Sequence, residues 1–239
     1  MPARLVWMSD SLLSEQIAYY RARAPEYDEW MQRVGRYSRG DEADRRWFAE
    51  FAIEQQRLRE FDATGDVLEI ACGTGLSTAI LAESAANLVA LDAAPEMIEE
   101  CRKRPGLEEV EFLLEDAFSW RTERAFDAVV FTFWLSHVPE ELFDSFWGRV
   151  RTLLKPRGRV FFADSLYAPW ATAIDHELKS PDEGVVVRKL NDGREFHVVK
   201  RFLEPSVLQA ELDRLGWAVT VEATGDLLLT GQGSFRRDP

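Results

Sequence analysis

The sequence has few of the features that mark exported and membrane proteins. Its 239 residues include two cysteines, Cys72 and Cys101, which are too few for a disulfide framework and fit a reducing cytoplasm. The stretch from Met1 to Tyr20 lacks the continuous apolar core of a signal peptide, and no apolar run elsewhere is long enough to span a bilayer. We therefore expect a soluble cytoplasmic protein without a membrane partner.

Basic residues are fewer than acidic ones. The chain has 29 Lys and Arg against 42 Asp and Glu, a formal net charge of -13. Such a balance disfavours binding to nucleic-acid backbone or to an anionic membrane surface. The three histidines and two cysteines form no cluster with the spacing of a zinc site. The expected partner is a small molecule, bound by a monomer or a homodimer.

Apolar residues are plentiful, and their order along the chain predicts the architecture. The region up to Phe61 predicts two or three amphipathic helices, with Ser11 as a helix N-cap. Strand-like and helix-like runs then alternate up to Asp164, a pattern typical of βαβ units in a doubly wound parallel sheet. Within this region Lys155-Pro156-Arg157-Gly158 predicts a turn between a long helix and the strand that ends at Asp164. A hairpin around Asn191-Asp192-Gly193, a helix and two closing strands complete the predicted fold.

The sharpest local feature is the strand Val67–Ala71, which runs into Cys72-Gly73-Thr74-Gly75. A buried strand that turns at glycines into a helix brings backbone close to a ligand in open α/β sheets. A nicotinamide fingerprint requires a third glycine, and this chain has Thr78 there. Glu69 would repel a phosphate but suits a cationic cofactor. A strand–helix junction without any ligand remains the simpler alternative.

This pattern resembles motif I of class I S-adenosylmethionine (SAM)-dependent methyltransferases. Asp92, 19 residues after Gly73, matches the position whose carboxylate accepts the ribose hydroxyls, and Asp116-Ala117 matches the adenine-edge position. The segment from Gln16 to Trp30 resembles the tyrosine-rich stretch that closes over the cofactor in such enzymes, where Arg23 could pair with the methionine carboxylate. The cofactor-binding residues implied by the resemblance are Tyr20, Tyr27, Glu69, Ala71, Gly73, Gly75, Asp92, Met97, Asp116, Ala117 and Phe133.

The resemblance also implies the overall organisation. The fold would be α/β, with a doubly wound, Rossmann-like, seven-stranded and mostly parallel sheet, an antiparallel last strand and an N-terminal helical cap. We expect a single methyltransferase domain over residues 1–239. Within it, residues 1–61 would form the cap, 62–164 the SAM-binding core, and 165–239 a substrate-side lid with the closing strands.

The segment Phe126–Pro139 resembles the fourth motif of the same family, which places His137 beside the acceptor. A neutral imidazole there could act as general base for a hydroxyl, with Asp164 at the end of the next strand fixing its tautomer. A capping or packing role for His137 is the alternative. The His and Asp arrangement is similar to that of sugar O-methyltransferases.

The predicted function is therefore O-methylation of a hydroxyl on a small polyhydroxylated or glycosylated metabolite, with S-adenosylhomocysteine (SAH) as product. Candidate substrate-contacting residues are Trp134, Tyr167, Trp170 and His176. Carboxyl- or N-methylation, a non-catalytic SAM-binding protein and a nicotinamide oxidoreductase remain alternatives. Metal dependence is not predicted, although Asp164 with a substrate diol could recruit magnesium.

Overall fold

A seven-stranded sheet forms the centre of the protein in the computed structural model, which describes residues 3–178 and 180–236. The strands are β1 Gly65–Ile70, β2 Ala85–Asp92, β3 Glu111–Leu114, β4 Phe126–Thr132, β5 Leu154–Ser165, β6 Val185–Lys189, β7 Glu195–Val199, β8 Trp217–Ala223 and β9 Leu228–Phe235. The α-helices are α1 Ala3–Arg23, α2 Glu29–Gln32, α3 Asp41–Phe61, α4 Leu76–Leu81, α5 Pro95–Cys101, α6 Glu140–Leu153 and α7 Pro205–Arg214.

The large sheet has the strand order β3-β2-β1-β4-β5-β9-β8, and β6 pairs with β7 in a separate hairpin. Strands β1 to β5 are parallel, whereas β9 runs antiparallel to both β5 and β8. The predicted Rossmann-like sheet with its antiparallel last strand is confirmed, and so is the hairpin. At the topological switch between β1 and β4, the carboxyl ends of the strands open a crevice suited to ligands.

The central strand β4 shows that both faces of the sheet are covered. Residues 128–131 are an uninterrupted apolar run and are completely buried, as expected for a strand covered by helices on each side. Phe131 stacks on Phe162 of β5 with ring centroids 5.6 Å apart, and Trp147 of α6 packs edge-on against both rings. This aromatic core holds the ends of β4 and β5 in a fixed relation.

Two local predictions were wrong. Residues 155–158, predicted as a turn, belong to the long strand β5, whose pairing with β4 shifts register between Phe126 and Ala128. Ser11 lies inside α1 and is not its N-cap. Residues 155–158 lie between Leu154, which pairs with Phe126, and Arg159, which pairs with Ala128, so they form an irregularity within β5.

The N-terminal helices cover the carboxyl edge of the sheet. Gln16 of α1 accepts a hydrogen bond from the Val199 backbone N–H at 3.1 Å and donates one to the His137 carbonyl oxygen at 3.4 Å. One buried side chain thus ties α1 to the hairpin and to the segment after β4. Within the described parts of the chain, the structure contains no helix with the length and apolarity needed to cross a membrane.

Candidate active site

Two adjoining cavities lie at the carboxyl edge of the sheet. The first, the acidic cavity, is lined by Asp92, Glu115 and Asp116 together with apolar and aromatic side chains. The second, the basic cavity, is lined by Arg23, Arg188 and Lys200 among mainly aromatic and apolar neighbours. The side chains that line both cavities, and so form their shared wall, are Tyr20, Tyr27, Phe133 and His137.

Asp92 is held rigidly at the floor of the acidic cavity. Its Oδ2 accepts a hydrogen bond from the Gly73 N–H at 2.9 Å and its Oδ1 accepts one from the Ala94 N–H at 2.8 Å. Burial raises the pKa of this carboxyl group to about 6, although the backbone N–H groups act in the opposite sense. The group is therefore largely ionised at pH 7, and its carboxylate oxygens can accept ligand hydroxyl protons.

The two glycines after β1 serve different purposes. Gly73 has a φ of +55°, and no atom lies within 4 Å of the position that a Cβ would occupy, so its backbone is open toward the acidic cavity. Gly75 has a φ of +86° and does not line the cavity, and a Cβ there would collide with Cys101 of α5. Gly73 permits ligand approach, whereas Gly75 permits the close packing of two helices.

Glu69 lies apart from the predicted cofactor contacts. Its side chain lines neither cavity, is 1% exposed and accepts a hydrogen bond from the Thr78 hydroxyl at 2.6 Å. Burial raises its pKa well above the usual value and favours the neutral acid. Contrary to the sequence argument, this geometry gives Glu69 no direct electrostatic role toward a ligand. It joins β1 to α4.

A carboxylate that the sequence argument missed lies in a recess next to the acidic cavity. Glu54 of α3 is 2% exposed, and its Oε1 has no hydrogen-bond partner. The recess also contains Tyr27, Ala71 and Gly73, which connect it to the acidic cavity. Burial raises the Glu54 pKa to about 8. Its position on the apolar stripe of α3 was the available signal, since a buried acid without a partner needs an explanation.

The remaining predicted cofactor residues converge on the acidic cavity. Asp116 and Ala117 follow β3, and Met97 lies on α5 across from them. The residues that the structure brings together here are Tyr20, Tyr27, Ala71, Gly73, Asp92, Met97, Asp116, Ala117 and Phe133. Arg23, which the sequence argument assigned to the methionine carboxylate, lines the basic cavity instead.

His137 sits in the shared wall with both ring nitrogens engaged. Its Nδ1 lies 2.6 Å from the Val199 carbonyl oxygen and therefore carries the proton, which leaves Nε2 to accept the Tyr20 hydroxyl at 2.8 Å. Burial, reinforced by the charge of Lys200, lowers the imidazole pKa to about 3. The ring is thus neutral at pH 7 and a far weaker base than free imidazole.

Asp164 does not contact the imidazole. Its oxygens accept the Ser136 and Ser165 backbone N–H groups, each at 2.7 Å, and form a buried ion pair with Lys200 at 3.3 Å. The Val199 carbonyl, not Asp164, fixes the His137 tautomer. Lys200 itself is held by the Ser136 hydroxyl at 2.8 Å.

The four predicted substrate residues are dispersed. Only His176 lines the basic cavity, where its Nδ1 lies 3.1 Å from Arg188 Nη1. Trp134 lines the acidic cavity. Tyr167 donates to the Leu178 carbonyl oxygen at 3.2 Å, and Trp170 packs beneath Arg46, both outside the lining of either cavity.

The sequence and the fold match known methyltransferases. A family model described as a methyltransferase domain matches residues 67–158. The ubiquinone biosynthesis O-methyltransferase of Xanthomonas axonopodis pv. citri (strain 306) is 31% identical over 169 residues, which cover 69% of this chain and 67% of that protein. The DhpI–SAH complex superposes with a TM-score of 0.76 at 36% identity, over 95% of this chain and 98% of that chain. The chain belongs to the class I SAM-dependent methyltransferases.

A second solved structure, the DhpI–SAM–HEP complex, is 38% identical to this methyltransferase, with a TM-score of 0.75 over 92% of this chain and 96% of that one. The chain spans 59% of the length of the ubiquinone biosynthesis O-methyltransferase of Xylella fastidiosa (strain 9a5c), at 32% identity over 158 residues. SAM is the cofactor of this methyltransferase, and its substrate is a small molecule.

The residues present fit SAM. The cofactor carries a sulfonium and an ammonium group, and the acidic cavity with its recess offers Asp92, Asp116 and the unpartnered Glu54. The open backbone at Gly73 provides space for close approach. Over residues 3–178 and 180–236, no group of three or more His, Cys, Asp or Glu side chains is arranged to hold a metal ion.

Proposed function

We propose that this methyltransferase transfers the methyl group of SAM, bound in the acidic cavity, to an oxygen atom of a small molecule bound in the basic cavity. The shared wall of Tyr20, Tyr27, Phe133 and His137 is the observation that supports this assignment. Methyl transfer requires the acceptor lone pair in line with the bond between sulfur and the methyl carbon. Because the same four side chains line both cavities, the cavities adjoin, and the acceptor oxygen and the methyl carbon can meet where the two cavities border each other.

Charge favours oxygen over nitrogen as the acceptor atom. A simple amine is an ammonium ion at neutral pH and would be repelled by Arg23, Arg188 and Lys200. Hydroxyl, carboxyl and phosphoryl oxygens avoid that penalty. The argument for a sugar acceptor depends on aromatic substrate contacts, but Trp134, Tyr167 and Trp170 do not line the basic cavity.

Within the acidic cavity, we assign the ribose hydroxyls to Asp92 and the adenine edge to Asp116, Ala117 and Met97. Glu54 is the proposed partner of the methionine ammonium group, because its Oε1 is buried without a hydrogen bond in a recess continuous with the cavity. An ammonium there would restore the ionised form of Glu54, which burial alone disfavours.

His137 is proposed as a positioning residue and not as a strong general base. Its Nε2 holds the Tyr20 hydroxyl, whose pKa burial raises well above its usual value, so that the phenol remains a hydrogen-bond donor. The hydrogen bond between Tyr20 and His137 fixes the positions of both side chains in the shared wall. Transfer to an oxygen that is already ionised needs no proton acceptor, which suits an imidazole with a pKa of about 3.

Calorimetric titration with SAM and SAH tests the cofactor site. Asp92→Ala removes an acceptor for two hydroxyl protons, each hydrogen bond to a charged group being worth about 1.5–3 kcal/mol. SAM affinity should therefore fall at least about tenfold. Asp192→Ala, in the exposed hairpin turn, is the matched control and should bind SAM like the unmodified protein. Equal affinity for SAM in Asp92→Ala would contradict the assigned cavity.

A further inference from the structure

The most unusual feature outside the cofactor site is the charge of the basic cavity. Among its described lining residues are Arg23, Arg188 and Lys200 but no Asp or Glu, in a chain whose net charge is -13. With 42 acidic and 29 basic residues, three charged lining residues placed at random would include an acid more often than not. The concentration of positive charge therefore requires a physical reason.

We propose, building on the methyl transfer proposed above, that the acceptor is a small oxyanion whose phosphoryl or carboxylate group is held by Arg23, Arg188 and Lys200, and that an anionic oxygen of this group receives the methyl. The absence of an acidic partner for Arg23 and Arg188, and the burial of Lys200 beside them, support this assignment.

Arg23 is held by aromatic rings and not by an acid. Its guanidinium carbon lies 4.8 Å from the centroid of the Tyr27 ring, and its Nη2 donates to the Tyr37 hydroxyl at 3.1 Å. The Nε atom is buried without a hydrogen-bond partner. Stacking fixes the plane of the guanidinium and leaves donors for a planar or tetrahedral oxyanion.

Arg188, on β6, also has only neutral partners. Its Nη1 lies 3.1 Å from both the Thr172 hydroxyl oxygen and the His176 Nδ1. Burial lowers the Arg188 pKa, and the charge of Arg23 acts in the same direction. No ion pair with a carboxylate is formed by Arg23 or Arg188 within the described chain, whereas neighbouring Arg33 has one and Arg36 has two.

Lys200 completes the set and carries its own counter-ion. Its Nζ pairs with Asp164 and also contacts the Ser165 hydroxyl, both at 3.3 Å. Counting Asp164 against the three cations leaves two positive charges without a partner. A buried charge normally has an acidic partner, so a bound dianion, or a monoanion with partial compensation, would supply what the protein lacks.

The chemistry of the transfer agrees with this charge. A lone pair of the anionic oxygen forms the new bond to the methyl carbon, the bond from carbon to sulfur breaks, and its electron pair stays on sulfur. One negative charge of the acceptor and the positive charge of the sulfonium disappear together, and no proton is transferred. The products are a methyl ester and SAH, and neither an oxidant nor a metal is consumed.

Anion binding can be measured without turnover. Inorganic phosphate and acetate are titrated into the protein by calorimetry at constant ionic strength. We expect saturable binding of at least one of them. Arg188→Gln should weaken it about 10- to 100-fold, since a hydrogen bond to a charged group is lost. Arg188→Lys should retain part of the affinity because it keeps the charge without the fork geometry. Arg157→Gln, exposed on β5, is the matched control and should bind as the unmodified protein does.

Turnover with matched acceptor pairs separates the two proposals. Carboxylic acids and phosphoryl compounds are compared with their amides and neutral esters, and SAH formation is followed. Methylation confined to the anionic members, with KM raised in Arg188→Gln and unchanged in Arg157→Gln, would support the inference. Methylation of neutral hydroxyl compounds that is indifferent to Arg188→Gln, or absence of any anion binding, would overturn it and leave O-methylation intact. Anion binding by a protein that neither binds SAM nor forms SAH would instead overturn the proposed function.

Discussion

The acidic and basic cavities share one wall but come from different parts of the chain. Asp92 ends β2, and Glu115 and Asp116 directly follow β3, so the carboxyl ends of sheet strands fix their positions. Arg23 belongs to the N-terminal cap, while Arg188 and Lys200 come from the separate hairpin and the residue after it. The charged residues of the acidic cavity therefore come from the central sheet, whereas those of the basic cavity come from segments outside the sheet.

The opposite charges of the two cavities match the opposite charges of the two proposed ligands. A sulfonium ion is stabilised near carboxylates, and an oxyanion near guanidinium and ammonium groups, while the wall between them is neutral. Net charge describes only the average of the surface. A chain of charge -13 disfavours large polyanions, yet it can enclose a cavity that attracts a small one.

Of the substitutions that test the difference between the two cavities, removal of Lys200 should have the largest effect, a loss of folding stability. Lys200→Met leaves Asp164, which is fully buried, without its cation, and breaking a buried pair in this way costs about 3–5 kcal/mol of unfolding free energy. Urea denaturation should show this loss. Lys155→Met, which removes a partly exposed ion pair with Asp66 and Asp127, is the control and should lose much less.

The double variant Lys200→Met with Asp164→Asn tests the cause. The amide introduced at position 164 would carry no charge, so part of the lost stability should return. If Lys200→Met were as stable as the unmodified protein, the buried ion pair would not be what holds this side of the basic cavity.

A second substitution tests the proposed role of Glu54 in SAM binding. Glu54→Gln removes the charge proposed to bind the methionine ammonium, and SAM affinity should fall about tenfold or more. Glu60→Gln lies on the same helix at an exposed position and should leave SAM affinity unchanged. Undiminished SAM affinity in Glu54→Gln would remove Glu54 from the cofactor site.

Glu54 also predicts a pH dependence of stability. Its folded-state pKa of about 8 lies above the ordinary value of 4.5. Between these two values the unfolded chain has released the proton and the folded protein retains it, so stability should decline as pH rises through this window. Below it both states are protonated and the contribution is constant. In Glu54→Gln the decline should be smaller, as thermal unfolding from about pH 5 to about pH 8 would reveal.

The sequence was informative wherever a side chain follows directly from a strand end. Gly73, Asp92 and Asp116 line the acidic cavity because motif spacing specifies their positions in this fold. Spacing does not reveal on which side of the strand the Glu69 carboxyl lies. Here it lies beneath α4, bonded to Thr78. Gly75 does not line the acidic cavity, and a close approach of helix to helix requires glycine there as much as a ligand would.

The basic cavity was not predictable by such local rules. Arg188 and Lys200 are separated by a hairpin and reach Arg23 only because β7 packs on α1 through side chains such as Gln16. Composition alone predicts that the aromatic residues after β5 form the acceptor site, yet Tyr167 is turned toward the Leu178 carbonyl oxygen. Long-range packing, which has no local sequence pattern, decides which of these side chains face the acceptor.

The smallest expected effect concerns the wall between the cavities. His137→Asn keeps a neutral donor near the position of Nδ1 but does not reach the Tyr20 hydroxyl. A positioning residue should therefore lose about one hydrogen bond, near 1 kcal/mol, and kcat should fall several-fold. A general base would cost about 10²- to 10⁴-fold. His197→Asn, exposed on β7, is the control and should keep the full rate.

Because the His137 pKa is about 3, the unmodified enzyme should also show no ionisation near the ordinary histidine pKa of 6.5 in the pH profile of its kcat. A step there that disappears in His137→Asn would restore the general base and make the wall, not only the cavities, part of the proton chemistry.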